Sequence, residues 1–165
     1  MVRVRAAAVI VVAVVVAVAW SAAGCAVVPP GARVGPPGET INAQFPGGET
    51  RTAEVLTTEL GIAMRVRRVP LDAAAVASDG TAVVGFYTSG NRACYRLSSV
   101  HATTRDGRIE LVVEEGAPAA LVVSCSAEGR LFAVSAALPG PVDPDSPPIF
   151  DGVTDRPVPP AVILP

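Results

Sequence analysis

The chain has 165 residues, enough for one small domain and not obviously for two. Its 13 basic residues are all arginine, and 15 acidic residues leave a formal charge of −2, which excludes a strongly basic nucleic-acid binder. Sixteen prolines and fifteen glycines bar much of the chain from helix or central strand, and one Trp, two Tyr and four Phe leave Val, Leu, Ile and Ala to build any core.

Residues 1–24 read as an export signal. Arg3 and Arg5 make a positive start, residues 6–20 form an uncharged apolar run, and Ser21-Ala22-Ala23-Gly24 supplies the small residues that a signal peptidase requires. Arginines ahead of an apolar segment stay in the cytoplasm, so the chain beyond that segment is delivered outside. Ala22-Ala23-Gly24-Cys25 resembles the lipobox of bacterial lipoproteins, although Ala22 stands where leucine is most usual. The resemblance implies diacylation of the Cys25 thiol and cleavage before it. The mature protein would then be anchored to the cell membrane on its extracytoplasmic side, durably so with two acyl chains. Two other outcomes fit the same residues. An A-x-A-type cleavage would release a soluble protein. An uncleaved anchor is the other, since residues 6–28 carry no charge and would span roughly 34 Å as a helix.

Residues 25–49 have the composition of a tether: paired prolines at 29–30 and 36–37 and glycines at 31, 35, 38, 47 and 48 favour extended segments with hinges. Residues 50–138 are expected to form a β domain. Residues 50–61 are ambiguous, because Leu56 and Leu60 sit at helical spacing while the threonines favour strand. Strands are expected over 64–69, 81–88, 94–104, 108–113, 120–125 and 131–138, with a helical turn in the alanine-rich 72–78. Asp106-Gly107 signals a two-residue hairpin of the I′ type, and Glu128-Gly129 a second hairpin joining 120–125 to 131–138. Ile109, Leu111 and Val113 share one face, with Glu110 and Glu114 on the other. Leu97 and Val100 break strict alternation and predict a bulge near Ser98-Ser99. Together these runs predict an all-β fold, a small antiparallel sandwich or barrel of about six strands. Residues 139–165 form a proline-rich tail that packs partly on the domain: 149–152 as a short edge segment, 158–165 frayed.

With Cys25 acylated, Cys94 and Cys125 remain as an even pair in an oxidising compartment, which predicts a disulfide. Closing a loop of about 32 residues would remove chain entropy worth about 3.5–4 kcal/mol. Cys94-Tyr95-Arg96-Leu97 with Val100, the 109–113 run, Cys125, residues 130–139 and Phe150-Asp151-Gly152 together resemble a β domain of secreted and lipid-anchored actinobacterial proteins. That resemblance implies a fold outside the membrane and no activity.

No catalytic, metal or cofactor site is expected. His101 is the sole histidine, which excludes two-histidine metal sites. A Ser–His–acid triad would need His101 with Ser98 or Ser99 and Asp106, yet residues along one strand do not converge. Without lysine there is no phosphate-binding G-x-x-x-x-G-K loop, and there is no C-x-x-C redox motif. Asp143, Asp145, Asp151 and Asp155 could supply oxygens to calcium, but prolines interrupt the loop pattern. Arg65, Arg67 and Arg68 could meet an anionic polymer or headgroups, or form an exposed strand face balanced by Glu110 and Glu114. The function expected is a non-catalytic binding or structural module of the cell envelope. Two alternatives remain: an accessory subunit docking on a membrane enzyme or transporter, and a small hydrolase using His101.

Overall fold

The computed structural model describes residues 37–58, 63–118, 125, 128–144 and 148–165. The export segment, Cys25, residues 59–61 and the strand expected over 120–125, apart from Cys125 itself, lie outside them. The described residues contain strands and no helix. In chain order these are β1 (Thr40–Gln44), β2 (Thr50–Val55), β3 (Ala63–Arg68), β4 (Ala73–Val76), β5 (Ala82–Ser89) and β6 (Arg96–Arg105). The remaining strands are β7 (Arg108–Pro118), β8 (Arg130–Ala137), β9 (Ile149–Asp151), β10 (Arg156–Pro157) and β11 (Val162–Ile163).

Two sheets result. The first runs β11-β1-β2-β8-β5-β4, antiparallel throughout except for a short parallel pairing of β2 with β8. One C-terminal segment touches both of its ends. Ala161 N donates to Ala74 O at 2.8 Å on β4, while Leu164 N donates to Asn42 O at 2.9 Å on β1 and β11 pairs with β1. The sheet is thereby nearly closed. In the second sheet β7 is the spine. β6 runs the length of one edge, so β9 and β3 must share the other, β9 along Ile109–Leu111 and β3 along Glu114–Pro118.

A nearly closed sheet of six strands leaves a narrower interior than the eight-stranded barrels that side chains just fill. It holds mostly alanine, with Ala43, Ala53, Ala73, Ala133 and Ala161 around Phe45, Val84 and Phe86. The sheet's outer face packs on the second sheet through Val83, Tyr87, Phe132 and Val134 against Leu97, Ile109, Leu111 and Val113. Each such fully buried aliphatic side chain stabilises the fold by about 1.5–3 kcal/mol. β5 and β8 therefore have two buried faces and read as continuous apolar runs.

Several expectations hold at the level of single residues. Asp106 and Gly107 have φ of 51° and 74°, as a type I′ turn demands, and the β6–β7 register shifts between Leu97 and Ser99. The fold is a small β sandwich with one barrel-like sheet, as the strand spacing indicated.

Three expectations need correction. The domain starts before Thr50, since β1 belongs to the first sheet; Ile41, Ala43 and Phe45 alternate and pack inward despite the surrounding prolines and glycines. The alanine run forms a strand in place of a helical turn, because Ala73 faces the barrel interior and Ala74 the inter-sheet core, and burial on both sides outweighs alanine's helix propensity. β8 pairs with β5 and, at Phe132 and Ala133, with β2, while the first arm of the hairpin expected across Glu128-Gly129 lies outside the described residues. Residues 158–165 do not fray, because their backbone closes the first sheet and Ala161 fills its interior. The tail segment 149–151 does pack back, as β9.

Gly85, in the middle of β5, sets how closely the sheets approach. A Cβ there would lie 2.7 Å from Leu111 Cδ2 and 3.1 Å from Leu71 Cδ2. Gly85→Val is expected to lower unfolding free energy by about 1–3 kcal/mol in urea titrations. In a Leu111→Ala background the same change should cost measurably less, because the two side chains compete for one volume.

Candidate functional site

β7 carries the centre of the site. Its odd-numbered residues, Ile109, Leu111 and Val113, face the inter-sheet core, and Glu115 continues that face with only 1% of its surface exposed. Glu115 is sustained there by donors from both sheets. Arg67 on β3 donates to Glu115 Oε1 through Nη2 at 2.7 Å and Nε at 3.2 Å, and Ser89 on β5 donates its hydroxyl to Oε2 at 2.6 Å. The Arg67 side chain is 61% exposed, so water screens its half of the pair, whereas the Ser89 bond is buried. Removing the Ser89 donor would leave a buried acceptor bare, a loss of about 1–3 kcal/mol by analogy with other such groups.

Opposite this carboxylate β3 is bulged. Met64 pairs with Ala117 and Arg67 with Glu115, so Arg65 and Val66 together oppose Gly116 alone. Arg65 takes up the extra residue with φ of +54°, in the left-handed region. That conformation costs a side-chain-bearing residue about 1–2 kcal/mol, and bulges of this kind gather beside functional sites.

Between the bulge and the start of β6 lies a shallow cleft of about 240 Å³, lined by Arg65, Arg67, Tyr95, Glu115 and the Cys94–Cys125 pair. An Asn91 turn places Tyr95: Cys94 N and Tyr95 N donate to Asn91 O at 2.8 and 3.0 Å, and Ala93 N donates to Asn91 Oδ1 at 2.9 Å. The Arg67 guanidinium lies 5.2 Å from the Tyr95 ring centroid, within cation–π range. Cys94 and Cys125 are joined in a disulfide with Cα atoms 5.8 Å apart, tying the start of β6 to the segment that leads into β8. Both thiols are thus withdrawn from nucleophilic chemistry. What remains is an arginine rim, an aromatic wall and a satisfied buried carboxylate, an arrangement suited to holding an anionic group.

The arginine trio expected on β3 is present, and its charge balance differs from expectation in one member. Arg68 pairs with Glu114 at 3.6 Å, but Arg67 takes Glu115 rather than Glu110. Glu115 and Tyr95 were missing from the sequence-based candidates. Parity was the available signal for Glu115, which stands two residues beyond Val113 on the apolar face. The triad residues are not brought together: Ser99 donates to Glu114 at 2.8 Å, Asp106 pairs with Arg105 in the turn, and His101 is exposed on β6. Among the calcium candidates, Asp151 is buried and accepts from Val153 N, Thr154 Oγ1 and Leu71 N, at 2.9, 3.0 and 3.4 Å. Asp155 pairs with Arg108 at 3.5 Å, and Asp145 lies outside the described residues. Among the described residues no three His, Cys, Asp or Glu side chains converge on a common point. No protein-family model, curated protein or solved structure matches this chain.

Tyr87 lies beneath the site, its ring 5.7 Å from that of Phe132. Burial first, and the Glu115 carboxylate second, raise its phenol well above the ordinary tyrosine value, with Arg92 opposing them. Below about pH 10 the phenol is neutral in both folded and unfolded chains, and its contribution is fully present. Above that, the unfolded chain sheds the proton while the folded chain retains it, so stability is lost as pH rises, by up to about 1.4 kcal/mol per pH unit. With no lysine in the chain, urea unfolding between pH 9 and about 11.5 should show this decline clearly, and Tyr87→Phe should remove most of it.

Proposed function

We propose that this chain is a bacterial lipoprotein, held on the extracytoplasmic face of the membrane by acyl chains on Cys25, whose β domain is a non-catalytic binding or structural module of the cell envelope. The observation that carries this reading is the Cys94–Cys125 disulfide. Such bonds persist in exported proteins and are rare in the cytosol. That pairing uses two of the three cysteines in the sequence, and the third, Cys25, stands directly after Ala22-Ala23-Gly24 and the Arg3/Arg5-led apolar run. The proline- and glycine-rich residues between Cys25 and β1 fit a spacer between lipid and domain.

A second reading, an accessory subunit that docks on a membrane enzyme or transporter, is favoured by one observation. Met64 and Val66 on β3 are 51% and 46% exposed. Exposed apolar residues on a sheet edge are suited to a protein partner.

Cells expressing the full chain and fed an alkyne palmitate analogue should label it. Cys25→Ala should abolish the label and move the protein from the membrane to the soluble fraction. Label that survives Cys25→Ala, or a native mass with a free thiol at Cys25, would overturn the anchoring.

A further inference from the structure

The first sheet is closed by a strap. Residues 159–164 run along one seam, bonded to β4 through Pro159 and Ala161 and to β1 through Val162–Leu164. Among the described residues little holds them there. Ala74 N donates to Pro159 O at 3.0 Å, Ala161 N to Ala74 O at 2.8 Å and Leu164 N to Asn42 O at 2.9 Å. The β1–β11 ladder adds only the pairs Ala43–Ile163 and Gln44–Val162. Of the side chains, Ala161 is buried and Ile163 half-buried, while Val162 is 60% exposed and both prolines are exposed. A segment with so few buried apolar groups and so sparse a ladder opens at a lower free energy than the domain as a whole.

What the strap covers is costly to leave bare. Without it β1 and β4 would present unpaired backbone, and the alanine-rich interior that Ala161 fills would meet water. The seam is therefore a binding site, and its ligand is known in sequence and register: residues 159–164 of this same chain. The hinge is equally well defined. Val158 N donates to Ile149 O at 2.8 Å, which fixes the point where the strap leaves the second sheet. Pro159 and Pro160 follow directly, each with its φ locked and each steering the residue before it away from helix. A released strap thus stays extended, already shaped for a seam, and loses little conformational entropy on entering one.

We propose that the strap is exchanged between copies: residues 159–164 of one chain enter the seam of a second copy, and reciprocally, joining two domains through their first sheets. Each strap contact of the single chain is kept in the pair, made across the two copies in place of within one. The dissociation constant of the pair is then set by the effective concentration of a strap on its own tether, on the order of mM for a short one. This interaction surface goes beyond the anchoring reading and does not require it.

The test mixes two variants of the full chain in neutral detergent, Gln44→Cys and Val162→Cys, exposed positions that face each other across the β1–β11 ladder. In this mixture a short bismaleimide can join position 44 to position 162 only between chains. After equilibration, a brief reaction and cleavage at arginine, the linked 44–162 peptide is quantified by mass. Its share is expected to rise about ten-fold or more between about 0.01 and about 1 mM protein. Thr104→Cys, exposed on β6, replaces Val162→Cys to report chance encounters and should give far less link. A chain carrying both Gln44→Cys and Val162→Cys, linked within itself at about 0.01 mM, should sediment as a monomer at about 1 mM, where the wild type forms a reversible dimer. An intact Cys94–Cys125 bridge and an unchanged melting temperature show that each variant keeps its fold. Three results would overturn the proposal: no 44–162 link between chains at the higher concentration, a link as frequent with Thr104→Cys, or a dimer that persists when the strap is stapled down. None of these readouts depends on acylation, so failure here leaves the Cys25 anchor standing, and failure of the anchor leaves the exchange standing.

Discussion

The distance between the two sheets is set where Leu111 crosses Gly85, and the rest of the molecule is arranged around that contact. With no side chain at Gly85, β7 can lie close over β5, and the inter-sheet core is sealed by Val83, Tyr87, Phe132 and Val134 without many aromatic residues to fill it. The other face of β5 then meets an interior that alanines suit, because the first sheet curls tightly. A larger residue at either face would push apart layers whose spacing is already fixed. This constraint explains why a chain with so few rings still has a well-buried centre.

The site arises from the same geometry. Once β7 is held down by Ile109, Leu111 and Val113, alternation carries Glu115 into the same buried layer, where it must find donors. Arg67 and Ser89 provide them from opposite sheets, so the pair of layers is joined at that end by polar contacts and at its middle by apolar ones. The bulge at Arg65 lets β3 keep Arg67 opposite Glu115 while the strand continues to Ala63. The disulfide adds a covalent tie at the same end, which leaves the cleft with firm walls on its Tyr95 side.

What the sequence made legible was whatever depended on neighbours in the chain. The Asp106-Gly107 turn needs two positive φ angles, and those residue types announce it; the bulge at Leu97–Ser99 shows in the shift of apolar parity. The pairing of Cys94 with Cys125 follows from the count of cysteines once Cys25 is set aside. Features set by distant segments were not legible. Ala73–Val76 has the composition of a helix and becomes a strand because two cores press on it. β1 and β11 are short and embedded among breakers, and their ladders come from segments distant in the chain or across a turn, β1 from β2 and β11, and β11 from β1. Glu115 reads as the second of three solvated acidic or small residues until the face it shares with Val113 is counted.

Closure of the first sheet by residues 159–164 has a consequence for how the protein comes into being. β1, near residue 42, can be completed only by a segment some 120 positions downstream, and β4 waits for the same segment. Until those residues have left the ribosome, the alanine-lined barrel has an open seam. A sheet whose two ends meet on one downstream segment is therefore sealed only after every strand between them has been made.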